Sequence, residues 1–274
     1  MSSSWNEEYY DIMEFFYWEP QHLGKIKNPK SKYNNLIDVK EHLFKMEVTL
    51  NHQLNLFFYL LPNKIVFSIF KQIIATLEND IFNFQSLKDV QELNLNDATQ
   101  PDIFFKGRKS LIGVELKIGA KSSLEQVMKY AILFHFHQEH HKQEMETHLV
   151  FMGKGPFQNL FKERYGSFNE IKENIKIEML PEITKKGKIN LQPHKNKIFQ
   201  IAQDMSISFI NYQMFSELLE KLKKNVDSTS EYSDTVLKLI DGILNEFFIR
   251  NLAVPNNIDN KRNKIKDQKS RKFL

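Results

Sequence analysis

The stretch SLIGVELKIG, residues 110–119, decides the fold of this chain. Ile112, Val114, Leu116 and Ile118 alternate with Gly113, Glu115, Lys117 and Gly119, the period of two that a strand imposes. Side chains two apart share a face, so Glu115 and Lys117 emerge together. The glycines beside them leave room for a ligand, and the charged face is expected to be open. Working back along the chain, Pro101 has no amide donor and suits the first position of a strand. Asp102-Ile103-Phe104-Phe105 reads as that strand, ending near Gly107, with Lys106 to Lys109 as a hairpin connection. Neighbouring antiparallel strands bring Asp102 and Glu115 near enough to share one divalent cation, which neither carboxylate holds well alone.

Working forward, Gly119-Ala120-Lys121 ends the strand, and a helix runs from Ser122 or Ser123 to about His140. Leu124, Val127, Met128, Ala131 and Ile132 form its buried stripe. Gln126 and Tyr130 are four apart and share a different face, with Lys129 beside them. Gln126 also has a capping-box reading, in which its amide reaches back toward Ser123. Tyr130 likewise reads as an aromatic flanking the core.

Pro101-Asp102, Glu115-x-Lys117 and Gln126-x-x-x-Tyr130 together resemble the PD-(D/E)XK nuclease superfamily, in its RecB-type branch, over about residues 40–155. The resemblance implies an α/β fold with a mixed central β-sheet flanked by helices and a restriction-endonuclease-like core. It implies a metal-dependent nuclease in which Asp102, Glu115 and the Leu116 carbonyl bind Mg²⁺ or Mn²⁺. Lys117 would orient the attacking water, and Gln126 and Tyr130 would hold the substrate. DNA rather than RNA follows from the resemblance alone. An upstream helical glutamate is also implied, and two residues compete for it. Glu47 opens a helical stretch, Met46 to Leu61, that ends at Pro62. Glu78 closes a second, Ile65 to Glu78, beside Asn79-Asp80, where a solvated charge is the ordinary explanation, so Glu47 is favoured. The alternative is an inactive nucleic-acid-binding or assembly module that keeps the nuclease fold.

The remaining sequence bounds these readings. At 274 residues the chain suits one sizeable core, here assigned to residues 37–255. Residues 1–36 read as an acidic extension, with a net charge of −5 over residues 1–20. Residues 256–274 read as a basic, disordered tail of net +5 that could attract phosphates. Of the 38 basic residues 33 are lysine, so lysine richness alone says little about partners. No apolar run approaches a membrane span, and Met1 to Glu8 lacks the pattern of a signal peptide, which predicts a cytoplasmic protein. With no cysteine, any metal must use oxygen or imidazole ligands. His135, His137, His140 and His141 crowd one helix end. His137 and His141 could share a metal at a spacing of four, but no third ligand stands nearby in sequence, so a solvated helix-terminal cluster is expected. Gly153-Lys154-Gly155 lacks the spacing of a phosphate-cradling loop. Thr147 to Met152 is read as a strand and Phe157 to Arg164 as a short helix. Ile175 to Leu180 and Lys197 to Ala202 are read as further strands, and Phe215 to Lys223 and Asp234 to Phe248 as helices.

Overall fold

A computed structural model describes residues 4–18, 42–85, 100–184, 189–227 and 231–254. The basic tail and the expected boundary near residue 36 lie outside the described residues. Five strands form one sheet in chain order: β1 (Asn83–Phe84), β2 (Ile103–Lys106), β3 (Ser110–Lys117), β4 (Glu146–Gly153) and β5 (Ser206–Asn211). β1, β2 and β3 are antiparallel, whereas β4 and β5 join in parallel. The fold is therefore α/β, a mixed sheet flanked by helices.

The expected alternation in β3 is real and divides the core in two. Ile112, Val114 and Leu116 face a layer made by α2 (Glu47–Leu60), α3 (Asn63–Ile73), α7 (Tyr212–Lys224) and α8 (Ser233–Ile249). The opposite face of the sheet meets α4 (Leu124–His141) and α6 (Lys195–Asp204), with the short α5 (Phe168–Asn174) beside them. Residues buried on both faces explain why β3 is close to continuously apolar apart from Glu115 and Lys117. No single helix among the described residues is long and apolar enough to cross a membrane. α2 and α3 reach that length only as a pair bent by 120°, and their buried apolar residues pack in the core.

Several expectations are corrected. Ile177–Met179 is a 3₁₀ turn and Lys195–Asp204 a helix, not strands. Ile198 and Ala202, four apart, are the buried pair of that helix, a spacing that only a helix puts on one face. The expected helix at Phe157 shrinks to a 3₁₀ turn, Phe157–Asn159. The second upstream helix stops at Ile73, so Glu78 lies beyond it.

The acidic N-terminal stretch contains α1 (Trp5–Trp18), which packs on α8. Gly242 makes this close approach feasible, since a Cβ there would lie 1.9 Å from Trp5 Nε1. Tyr10 donates to the buried Glu246 carboxylate, which also pairs with Arg250. The Arg250 guanidinium reaches on to the carbonyls of Phe44 and Met46, both at 2.8 Å. This network pins the backbone just before Glu47 and so fixes where α2 begins.

Candidate active site

The β2–β3 register pairs Ile103 with Val114, so its next step sets Asp102 opposite Glu115 on the face that carries Lys117. Asp102 sits just before the strand and is held at both oxygens. Asn51 donates to Oδ1 at 2.7 Å and the Leu116 amide to Oδ2 at 2.8 Å. Asn55 takes the Asp102 carbonyl at 2.8 Å. A residue's amide and carbonyl leave the same edge of a strand, so the Leu116 carbonyl is directed to the edge where Asp102 lies.

Glu115 is 5% exposed. Lys117 Nζ donates to its Oε1 at 2.6 Å, while Gln126 Nε2 and the Tyr130 hydroxyl meet Oε2 at 3.0 and 2.9 Å. The Tyr130 hydroxyl also lies 3.0 Å from the Val114 carbonyl. Glu47, at the first turn of α2, accepts from the Ile118 amide at 3.2 Å and acts electrostatically on Asp102 and Lys117. Glu78 instead makes an exposed pair with Lys109 at 3.3 Å, at the far end of the hairpin. Glu47, Asp102, Glu115 and Lys117 thus share one end of the sheet.

The expected substrate role of Tyr130 and the capping reading of Gln126 need correction. Ser123 makes no side-chain cap, so Gln126 is no capping partner. Tyr130 is completely buried, which takes its hydroxyl out of reach of a substrate. Both side chains bind the Glu115 carboxylate. The charged face of β3 is not open either, because α4 covers it. Gly113 admits the Tyr130 ring, which would lie 2.5 Å from a Cβ at that position. Of the two glycines beside the charged pair, only Gly119 faces open space.

Charge at this end does not balance. Three carboxylates, Glu47, Asp102 and Glu115, surround the single Lys117 ammonium. Burial pushes the Asp102 pKa up to about 7, helped by the charges of Glu115 and Glu47 and resisted by the Leu116 amide and by Lys117. Burial works against the Lys117 ammonium, but the Glu115 hydrogen bond and the surrounding carboxylates outweigh it and raise its pKa. An excess of negative charge on hard oxygens is what a divalent cation relieves. The donor set therefore fits Mg²⁺ or Mn²⁺, although the three carboxylates do not close into one mutual group. Among the described residues only His135, Glu139 and His194 place three such ligand atoms within 4.8 Å of one another.

Sequence reasoning missed several neighbours. Asn51 and Asn55 follow Glu47 at intervals of four, a polar stripe along one face of the helix, and that periodicity was a readable signal. Tyr212, buried beside Glu47 and Asp102, carried none, since it arrives from the start of α7. Beyond Lys117 lies a cleft of about 270 Å³ lined by Gly119, Lys121, Gly153, Lys154 and Asn159. No family model, curated protein or solved structure matches the chain.

Proposed function

We propose that the chain is a metal-dependent nuclease hydrolysing phosphodiester bonds of DNA. The observation that carries this reading is the meeting of Glu47, Asp102, Glu115 and Lys117, drawn from one helix and a hairpin, with Lys117 also lining a cleft that Lys121 and Lys154 share. Asp102, Glu115 and the Leu116 carbonyl would hold Mg²⁺ or Mn²⁺. When bound there, such an ion polarises a phosphoryl oxygen and acidifies a coordinated water. Lys117, with its side chain 15% exposed, orients the attacking water by hydrogen bonding and offsets charge that develops on the phosphorane. Gln126 and Tyr130 fix the Glu115 carboxylate, so its orientation is set before substrate arrives. Asn51 does the same for Asp102. Lys121 and Lys154, both exposed, suit a phosphate backbone lying along the cleft.

Incubation of the purified chain with linear and circular DNA, with Mg²⁺ and with chelator, tests the reading. Cleavage that needs metal and disappears in Asp102→Ala and Glu115→Ala is the expected result. Tight DNA binding without cleavage in any metal would instead support the inactive binding module.

A further inference from the structure

A second cluster lies at the other end of the sheet, beside the N-termini of β4 and β5. His135 Nε2 and His194 Nδ1 are 2.9 Å apart, and each is 3.4 Å from Glu139 Oε1. His135 and Glu139 are one turn apart on α4, while His194 comes from the 3₁₀ turn that leads into α6. Sequence reasoning paired His137 with His141 and found no third ligand. The fold brings together a different set, His135 with Glu139 one turn on and His194 59 residues away.

We propose that His135, Glu139 and His194 bind one transition-metal ion of the Zn²⁺ class, with water in a fourth position facing the adjoining cleft. A tetrahedral ion with bonds of about 2.0–2.2 Å sets its ligand atoms roughly 3.3–3.5 Å apart, and two of the three separations here already have that value. The third is a hydrogen bond that opens by about half an ångström when an ion replaces its proton. Imidazole nitrogens select Zn²⁺, Co²⁺ or Ni²⁺ over Mg²⁺, which separates this site chemically from the carboxylate end. His135 is buried and held by packing, with Phe136 edge-on to both rings. His135 and Glu139 line a cleft of about 790 Å³, which gives an ion its entry path and leaves room for the water. The bound ion would clamp α4 to α6 and so stiffen the helix that carries Gln126 and Tyr130.

The test uses the full chain, stripped of metal and kept in excess Mg²⁺ so that the carboxylate end is occupied. Co²⁺ should titrate to one equivalent with the visible absorption of a tetrahedral ion. Zn²⁺ should displace it and raise the thermal midpoint. His194→Gln changes a partly exposed residue, so the variant should fold, as circular dichroism will check, and bind at least about tenfold more weakly. His140→Gln, on the exposed side of the same helix, should bind as the wild type does, and so should Asp102→Asn. No saturable Co²⁺ site in the wild type, or undiminished binding by folded His194→Gln, would overturn the assignment. Loss of the site in Asp102→Asn with retention in His194→Gln would place the ion at the carboxylates and overturn it equally.

Discussion

The two ends of the β2–β3 hairpin each hold an aspartate, buried Asp80 at one and half-buried Asp102 at the other, and the two are treated in opposite ways. At the closed end Asp80 accepts four backbone amides, from Ile81, Arg108, Lys109 and Ser110, at 2.8–3.1 Å. Burial disfavours its charge, but those donors outweigh burial and hold its pKa below the usual range. Gly107 keeps the space clear, since a Cβ there would lie 2.1 Å from Asp80 Oδ2. At the open end Asp102 receives one backbone amide, faces Glu115 and Glu47, and has its pKa raised to about 7. Donors complete the first site within the protein. The second is left with surplus negative charge, and that distinguishes an anchor from a place where chemistry can happen.

The largest expected effect comes from removing the anchor. Asp80→Ala strands four amides and should cost about 2–4 kcal/mol in denaturant unfolding, while turnover per folded molecule stays near wild type. A loss under about half a kcal/mol would mean that the turn holds without its carboxylate.

Asp102→Asn should act in the opposite direction on the metal-free chain. A carboxyl raised in the folded state contributes stability at acid pH that is lost as pH rises through its folded pKa, here about 7. The variant should therefore gain about 1–3 kcal/mol near pH 8, shrinking toward zero near pH 4. Asp80, with its lowered pKa, contributes stability that is lost only as pH falls below the range of an ordinary carboxylate. Melting curves across pH for the wild type and both variants would show whether the two slopes differ in sign.

Tyr130→Phe keeps the packing and removes one of the groups that hold Glu115. It should cost about 1 kcal/mol and slow cleavage without weakening DNA binding. Weakened binding at an unchanged rate would restore Tyr130 as a substrate contact. The smallest effect separates the two glycines. Gly119→Ala, facing open space, should change stability by less than about 0.5 kcal/mol, and Gly113→Ala should cost more because the Tyr130 ring must move.

Local periodicity made much of this legible in advance. The alternation over residues 110–119 fixed β3, its two faces and the meeting of Glu115 with Lys117, and the hairpin then followed from Pro101 and Gly107. Glu47 could be preferred to Glu78 because Glu78 stood at an expected helix end beside Asn79-Asp80, where a solvated charge is ordinary. What escaped depends on partners remote in sequence. The burial of Tyr130 requires α4 to lie flat on β3, and His194 reaches His135 only after α6 docks. The strand β5, SISFIN, has the irregular burial of an edge strand, which gives a weak period, whereas Lys197 to Ala202 offered apolar residues that fit strand and helix alike until Ile198 and Ala202 settled on one face.

Calorimetric titration of Mg²⁺ into the metal-free chain tests the contrast between the hairpin ends most directly. One site per chain in the wild type and in Asp80→Asn, absent from folded Asp102→Asn, is the expected result. Equal Mg²⁺ binding by Asp102→Asn and the wild type would contradict the assignment of the open end as a metal-binding active site.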